Sequence, residues 1–256
     1  MARGLALSVQ SLFMRPSDEP VLRLLYCHYL FDHQRKRFES VIRYLQSIGD
    51  FVSTDHVLDV LHGRKVLQRN SFHLSFDDGM KNVVTNALPI LREYKVPAIL
   101  FVPTTLVSTP PGAYGEIRKI LVTTDINAEI VTWGDLETAR EAGFDIGSHT
   151  RTHARLLHMQ NSATAIEDEV FGSKADLENH LGTECRYISW PYGRLLDVDD
   201  DVLGVVRKAG YQACFGAFRG HIEPKVTNAF RIPRHHIEPQ WPLSHVKCFA
   251  LGAWES

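Results

Sequence analysis

The sequence predicts an α/β fold of parallel strands, and three observations support this prediction. Short apolar, β-prone segments alternate with segments of helical periodicity along most of the 256 residues. Strands that alternate with helices are typical of parallel βα units. The acidic and histidine-rich segments come directly after predicted strands, and functional groups collect at the carboxyl end of a parallel sheet. We therefore expect the chemistry at that end of the sheet.

The strands are predicted from apolar runs that are bounded by turn-forming residues. In chain order they are 22–26, 72–76, 98–102, 144–147, 186–190, 212–215 and 230–232. The third run is bounded on both sides by proline, at Pro97 and Pro103. Residues 108–130 fit the alternation poorly and carry proline and glycine near their start, so we predict an inserted loop over one rim.

The helices are predicted where apolar residues recur at helical spacing. In chain order they are 38–48, 81–94, 133–142, 163–181 and 198–209. Gly143, Gly182 and Gly210 follow the last three and are predicted to end them. Pro89 lies inside the second helix and predicts a kink or a break there, because proline lacks a backbone N–H.

Composition and charge are those of an ordinary globular chain, with 44% hydrophobic and 23% charged residues. The formal net charge of −2 gives no strong field towards nucleic acid or acidic membrane, so neither partner is expected. The four cysteines form no CxxC pair, so neither a disulfide framework nor a cysteine zinc site is predicted. No segment has the length of a membrane span, and the N-terminus is a poor secretory signal. We expect a single domain over 1–256, in the cytoplasm or at the membrane periphery.

Two adjacent carboxylates follow the second predicted strand, in the segment SFDDG at residues 75–79. Successive side chains of a strand point to opposite faces, but a turn at Gly79 can bring Asp77 and Asp78 towards one cavity. Two carboxylates this close resist ionising together unless a cation is present. A metal held by one of them leaves the other free as a base. An exposed turn is the alternative, because Asp-Gly is a common turn dipeptide.

Two histidines four residues apart follow the fourth predicted strand, in the segment HTRTH at residues 149–153. This spacing places both imidazoles on one face if the segment is helical, and imidazole together with carboxylate suits zinc. A histidine pair alone is a weak signal. Because His149, His153 and the two aspartates all lie just beyond apolar strands, the sequence predicts one metal site with a base beside it.

Two later segments supply candidates for oxyanion binding and for acid catalysis. In WPYG at residues 190–193, the proline fixes the backbone and the glycine permits a close turn, so a backbone N–H can face a developing oxyanion. A simple strand-ending turn is the alternative. In RIPRHH at residues 231–236, two cations and two imidazoles follow the last predicted strand, and histidine is the natural general acid near neutral pH. A solvated basic loop is the alternative there.

Together these segments resemble the polysaccharide deacetylase family, the NodB-homology group that forms carbohydrate esterase family 4. Residues 75–79 are similar to its T-F-D-D-G motif and residues 149–153 to its H-[ST]-x-x-H motif, in the same order and with a similar separation. Residues 97–102 resemble its P-A-T-x-F strand, and residues 190–193 resemble its third motif. The resemblance covers the chain from about Leu22 to the C-terminus.

The resemblance implies a distorted (β/α) barrel with about seven parallel strands. It implies a divalent ion of the zinc type held by Asp78, His149 and His153, with Asp77 as the general base that deprotonates the metal-bound water. That water would attack the carbonyl carbon of an N-acetyl group on a sugar, with the oxyanion stabilised by the metal and the backbone N–H of Tyr192. A histidine near the C-terminus would then protonate the leaving amine.

The sequence departs from the family pattern just before the third motif. That motif often begins with an arginine that orients the catalytic aspartate, and this chain has Ser189 in its place. We hypothesise that Arg231 or Arg234 pairs with Asp77 instead. Without such a pair, the base would lack its usual partner.

The acid histidine is a further departure. The family's acid motif, L-x-H, matches residues 243–245 formally and would select His245. His235 and His236 instead follow a predicted strand whose end should face the site, and we predict His236 as the acid. Near the N-terminus, His28 belongs to a Y-C-H segment similar to the family's Y-H after the first strand, where a place on the rim and a structural role are both open.

The leading functional hypothesis is a metal-dependent hydrolase that removes N-acetyl groups from an amino-sugar polysaccharide, oligosaccharide or glycan precursor. One alternative is an amidohydrolase for a small non-sugar amide. The other is a catalytically silent glycan-binding barrel, which the missing arginine and the unassigned acid leave open. The aromatic candidates for stacking on a sugar are Tyr114, Trp133, Trp190 and Tyr192, with buried packing as the alternative for the two tryptophans.

Overall fold

The computed structural model describes residues 2–17, 19–110, 129–159 and 162–255. Its strands are β1 Leu22–Cys27, β2 Asp50–Phe51, β3 Ser71–Phe76, β4 Ala98–Val102, β5 Asp145–Ser148, β6 Tyr187–Ser189, β7 Ala213–Phe215 and β8 His235–His236. Most of the predicted inserted loop, together with Tyr114, lies outside the described residues.

The strands form one sheet in the order β7-β6-β5-β4-β3-β1-β8, with β2 paired to β3 off this path. Every strand pair is parallel. The segment that contains β8 joins the two ends of the sheet, because Ile232 bridges to Phe215 of β7 while β8 pairs with Leu25 and Tyr26 of β1. The predicted distorted (β/α) barrel of about seven parallel strands is confirmed.

The described helices are α1 Ala2–Phe13, α2 Arg35–Ile48, α3 Thr54–Leu61, α4 Leu88–Glu93, α5 Trp133–Glu141, α6 Ala163–Glu167, α7 Ser173–Leu181, α8 Asp200–Lys208 and α9 Leu243–Ala250. Of these, α1, α3 and α9 were not predicted from the sequence. Gly182 ends α7 in the left-handed conformation, with φ of 63°. Among the described residues, no helix combines the length and the apolar character that crossing a membrane requires.

Two predicted helices contain a π-helical turn. The turn at Val83–Ala87 directly precedes α4, where Pro89 occupies one of the first two positions. Proline cannot donate to the carbonyl four residues earlier, and the wider turn accommodates the missing bond without ending the helix. A second π turn, Asp168–Gly172, joins α6 to α7 in the helix that was predicted as continuous.

The strand predicted at 230–232 differs from the structure. Ile232 makes a single parallel bridge to Phe215, and the regular strand begins only at His235. Pro233 separates the two, because a proline cannot donate to a strand ladder. Arg234, next to it, lies outside the ladder, and its side chain lies inside the barrel, where it is 1% exposed.

The core has two parts, one on each face of the sheet. Alternate residues of β4 show the division, with Ile99 and Phe101 packed inside the barrel and Leu100 and Val102 packed against the helices. On β3 the helix-facing positions are apolar, whereas the inward positions include His73 and Ser75, which are buried and polar. The barrel interior thus becomes polar towards the end of β3 that precedes the aspartates.

Candidate active site

β3 carries both aspartates beyond the end of the sheet into one cavity. Asp77 continues the inward alternation of β3, and its backbone N–H donates to the Cys27 carbonyl at 3.0 Å. Asp78 adopts the left-handed region with φ of 73°, and Gly79 follows with φ of 68°. The reversal that was predicted at the glycine therefore begins one residue earlier, on an aspartate. Such conformations in non-glycine residues cluster at functional sites.

Asp78, His149 and His153 form a buried cluster of potential metal ligands, whose ligand atoms all lie within 4.8 Å of one another. The Nε2 atoms of His149 and His153 lie 3.4 Å and 3.2 Å from the same oxygen, Asp78 Oδ1. Burial raises the pKa of Asp78, but the two imidazoles outweigh it and hold the pKa well below its usual range. The carboxylate is therefore ionised and can bind a cation.

Contacts behind the triad orient its histidines. His149 Nδ1 lies 2.7 Å from the Ser189 carbonyl oxygen, to which it can donate, leaving Nε2 as the nitrogen with a lone pair towards Asp78. The loop between the histidines is held by the buried Glu169, whose carboxylate accepts from the backbone N–H groups of Arg151 and Thr152 at 2.9 Å each. The four-residue spacing of the histidines had allowed a helix here, but residues 149–153 form a loop. Thr150 and His153 are both left-handed, with φ of 63° and 62°.

Arg234 pairs with Asp77 through two hydrogen bonds of 2.8 Å, one to each carboxylate oxygen. Both side chains are buried, with the arginine and aspartate residues 1% and 4% exposed. The same guanidinium donates to Ser75 Oγ, to Ser189 Oγ and to the Gly216 carbonyl at 3.0, 2.7 and 2.7 Å. Ser189 stands where the family pattern has an arginine. Its hydroxyl accepts a hydrogen bond from Arg234, the arginine that pairs with Asp77 in this chain. Burial raises the pKa of Asp77, but the charge and hydrogen bonds of Arg234, together with the charges of His149 and His28, outweigh it, and the net shift is downwards.

Tyr192 lies beside the triad on a turn that needs its glycine. Tyr192 and Gly193 have φ of 64° and 71°, and a Cβ at Gly193 would lie 2.2 Å from Ala217 Cβ. The Tyr192 ring is 5.1 Å from the His153 ring, and the Arg155 guanidinium stacks on it at 3.4 Å. Arg155 in turn donates to the buried Asp197 at 2.7 Å. These contacts hold the backbone of Tyr192, whose N–H was predicted from the sequence to donate to the oxyanion.

A second cluster, formed by His28, His236 and Glu238, lies at the ends of β1 and β8. His28 Nδ1 and His236 Nε2 lie 3.0 Å and 2.7 Å from the same oxygen, Glu238 Oε1. The side chains of the two histidines are 28% and 35% exposed, so a substrate can reach them. Burial lowers the pKa of His28, but the Glu238 hydrogen bond and the charges of Asp78 and Asp77 outweigh it and raise the pKa to about 9. His28 is therefore protonated at neutral pH.

Other sequence candidates lie elsewhere. Arg231 pairs with Asp200 on the surface at 3.1 Å. His235 is fully buried, and its Nε2 contacts Glu255 Oε1 at 2.9 Å. His245 lies in α9, with its Nε2 3.4 Å from Ser8 Oγ of α1. Trp190 is 1% exposed, and its indole donates to the Arg194 carbonyl, so it packs in the core.

Sequence reasoning missed the carboxylates that support the site. Glu238 follows His236 by two residues, and side chains at this spacing lie on the same side of an extended segment. This spacing could have indicated Glu238 as a partner of His236. Glu169 and Asp197 lie within helical segments, where an acidic residue looks like any solvated one. Glu169 is held by Arg151 and Thr152, 18 and 17 positions away, so no local pattern indicates it. Asp197 accepts from Arg194, three positions away, and from Arg155, 42 positions away, and only the first of these contacts is local.

The parallel barrel, with a buried carboxylate–imidazole triad and a separate paired aspartate at one end, defines a metal-site (β/α) barrel of the hydrolase type. A family model described as polysaccharide deacetylase matches residues 64–214. The chain belongs to the polysaccharide deacetylase family, and the resemblance drawn from the motifs is confirmed.

Similar proteins agree with this assignment. A poly-β-1,6-N-acetyl-D-glucosamine N-deacetylase of Staphylococcus aureus (strain MSSA476) is 26% identical over 230 residues, which cover 83% of this chain and 73% of that protein. Two solved structures share the fold. IcaB from Ammonifex degensii has a TM-score of 0.73 at 21% identity, covering 93% of this chain and 100% of that one. The Streptococcus pyogenes deacetylase PplD in complex with acetate has a TM-score of 0.70 at 20% identity, covering 92% and 99%.

Proposed function

We propose that this protein is a metal-dependent N-deacetylase that releases acetate from an amino-sugar polysaccharide, with β-1,6-linked N-acetylglucosamine polymer as its substrate. The observation that carries the proposal is the division of labour between two adjacent aspartates. Asp78 faces two imidazoles, whereas Asp77 stays outside that triad and is held by Arg234. The names of the curated relatives support the choice of polymer.

The donor set supports zinc as the ion. Asp78, His149 and His153 offer one carboxylate oxygen and two imidazole nitrogens, a set that suits zinc and leaves further positions for water and substrate. When bound, the ion would polarise the acetyl carbonyl and lower the pKa of a coordinated water.

Asp77 has the features of a general base. Its net pKa shift is downwards, so it is ionised at neutral pH and can accept a proton from the attacking water. The two hydrogen bonds from Arg234 orient the carboxylate without protonating it, because a guanidinium does not give up its proton in this range. The Tyr192 N–H, on its strained turn, would donate to the developing oxyanion.

The proton for the leaving amine comes from the His28–Glu238–His236 cluster. His236 is the acid predicted from the sequence, and its pairing with Glu238 keeps it a candidate. The raised pKa of His28 favours His28 as the proton donor. His236 then acts on His28 through the Glu238 carboxylate that both histidines contact. Replacing each histidine separately distinguishes the two assignments.

The silent-barrel alternative loses its main support in this arrangement. It was motivated by Ser189 in place of an arginine and by the unassigned acid, and Arg234 makes the expected pair with the base from the segment just before β8. The test is acetate release from three substrates at equal acetyl concentration: β-1,6-linked N-acetylglucosamine polymer, chitin oligomers and a small N-acetyl amine. The proposal predicts the highest kcat/KM on the β-1,6 polymer. Faster turnover of the small amide would instead identify an amidohydrolase for non-sugar substrates.

A further inference from the structure

The His28–Glu238–His236 cluster has a second property besides its acid chemistry, because its three side chains converge as metal ligands do. One potential ligand atom from each residue lies within 4.8 Å of the other two. The two imidazole nitrogens approach one oxygen of Glu238 at 3.0 Å and 2.7 Å, much as the triad histidines approach Asp78 at 3.4 Å and 3.2 Å. In a tetrahedral zinc site with bonds of about 2.0–2.1 Å, neighbouring ligand atoms lie about 3.3 Å apart. Shifts of a few tenths of an ångström would therefore admit an ion.

The strand register brings these groups together and ring contacts hold them. Tyr26 of β1 and His236 of β8 are partners in a parallel pair. His28 and Glu238 each follow one member of this pair by two residues, so they leave neighbouring strands side by side. The His236 ring lies 5.0 Å from the Tyr26 ring and 5.2 Å from the Trp241 ring. The cluster is thus ordered before an ion binds, which lowers the entropic cost of binding.

The carboxylate of Glu238 has an oxygen that the protein leaves unpaired. The side chain is only 7% exposed, and both imidazole contacts fall on Oε1. The other oxygen, Oε2, is buried and has no hydrogen-bond partner among the residues that the structure describes. Buried polar atoms are normally paired, and an ion is one explanation for an exception. A cation bound to this carboxylate would satisfy the unpaired oxygen.

The cluster is reachable from solvent and adjoins the groups that hold the base. A cavity of about 310 Å³ is lined by both His236 and Arg234, the arginine that pairs with Asp77. The Arg234 guanidinium carbon lies 4.5 Å from the centre of the Tyr26 ring, on which His236 packs. The cluster nevertheless shares no residue with the Asp78 triad. An ion at the cluster would therefore be a second ion, bound beside the catalytic groups.

We propose that His28, His236 and Glu238 form a second metal site, which takes a divalent ion of the zinc type when metal is in excess. Two imidazoles and one carboxylate favour zinc, cobalt or nickel over magnesium and calcium, which prefer oxygen ligands. An imidazole must lose its proton before it binds a metal. Because a proton on His28 competes with the ion, this site fills after the Asp78 triad.

Occupancy of the second site inhibits the enzyme, and this consequence rests on the proposed function. A nitrogen whose lone pair binds an ion cannot carry the proton for the leaving amine. The Asp78 triad and the Asp77 base keep all their partners, so only the acid is lost. Excess zinc is therefore expected to lower kcat on the order of 100-fold when the second site is full, the lower end of what a general acid contributes.

The test titrates zinc chloride by calorimetry into protein that already holds one equivalent of zinc. A second equivalent is expected to bind to the wild type. Glu238→Gln keeps the shape of the side chain but removes its charge, and it should weaken the second equivalent by at least the roughly 10- to 100-fold that loss of a ligand's partner costs. Retention of the first equivalent shows that this variant is folded. His33→Gln changes an exposed histidine five residues after His28 and, as the matched control, should bind both equivalents.

Acetate release from β-1,6-linked N-acetylglucosamine polymer, measured against free zinc concentration, separates the site from the proposed function. The site is refuted if the wild type binds no second equivalent, or if Glu238→Gln binds it as tightly as the wild type. A second equivalent that is lost in Glu238→Gln but leaves wild-type acetate release unchanged overturns the inhibition. If the wild type releases no acetate at any zinc concentration while Glu238→Gln loses the second equivalent, the site stands and the deacetylase function falls.

Discussion

The pair between Arg234 and Asp77 gives the sharpest test of how the base is prepared. Arg234→Met removes a buried guanidinium that makes five hydrogen bonds, two of them to Asp77. Removing one partner of a buried ion pair leaves the other charge unpaired and costs about 3–5 kcal/mol in the free energy of unfolding. We expect a destabilisation of that size, measured by urea denaturation at neutral pH.

The effect on the base follows from the opposing causes of its pKa. Burial raises the pKa of Asp77, whereas Arg234 lowers it most among the neighbouring groups, with smaller contributions from His149 and His28, so removing the arginine leaves burial less opposed and the pKa rises. The base must be ionised to act, and the acid limb of the pH dependence of kcat/KM therefore moves to higher pH. At neutral pH we expect kcat/KM to fall on the order of 100-fold, the lower end of what a general base contributes.

The stability effect also has a predictable pH dependence. In the wild type the folded-state pKa of Asp77 lies below its unfolded value, so the pair stabilises the fold above about pH 4. That contribution is lost as the pH falls through the lowered pKa. The difference in free energy of unfolding between the wild type and Arg234→Met should therefore narrow in acid.

Two further variants make the test specific. Arg231→Met removes an arginine three residues away whose guanidinium pairs with Asp200 on the surface, and it should leave the pH profile unchanged. Adding Asp77→Asn to Arg234→Met removes the unpaired charge and should recover part of the lost stability. The reasoning is refuted if Arg234→Met gives the wild-type pH profile, or if the double variant is as unstable as the sum of the single variants.

Three other predictions concern the metal and the acid. His149→Ala removes one of three ligands, and metal should be lost on dialysis, as measured by elemental analysis. Glu169→Ala frees the loop between the ligand histidines, so metal affinity measured by chelator competition should fall about 10- to 100-fold. His28 should act as the acid in its protonated form, so kcat/KM should decline at alkaline pH as His28 loses its proton. His28→Gln should abolish this alkaline decline and lower kcat/KM on the order of 100-fold, whereas His236→Gln should retain the decline at a shifted pH.

Each of these has its own control. His158→Ala changes an exposed histidine near the same loop and should retain the metal. Glu167→Ala changes a surface carboxylate that pairs with Lys208 and should leave metal affinity unchanged. If His236→Gln, and not His28→Gln, abolishes the alkaline decline, then the acid is the histidine predicted from the sequence.

The fold and the metal triad could be predicted because their signals are local. Apolar periodicity marks most strands and helices, and the aspartates at 77–78 and the histidine segment 149–153 each follow a strand directly. In a parallel barrel all such strand ends meet at one rim, so placement in the chain implies placement in space. The single domain over 1–256, the roles of the site residues, and the cytoplasmic or membrane-peripheral location stay predictions.

What escaped prediction depends on contacts distant in sequence. Arg231 and Arg234 lie on the same segment, and only the barrel interior decides that Arg234 reaches Asp77, 157 positions away in the chain. The partnership of His28 with Glu238 spans 210 positions. Helices α1, α3 and α9 lacked clear sequence signals, and α1 and α9 pack on each other outside the barrel. Tertiary packing overrides local propensity at such places.

The central claim is that Asp78 belongs to a metal site while Asp77 acts as a separate base. The most direct measurement determines metal content and acetate release together, on β-1,6-linked N-acetylglucosamine polymer, for the wild type and Asp77→Asn. We expect Asp77→Asn to keep the wild-type metal stoichiometry and to lose at least about 100-fold in kcat/KM. Acetate release at the wild-type rate by metal-loaded Asp77→Asn would contradict this claim.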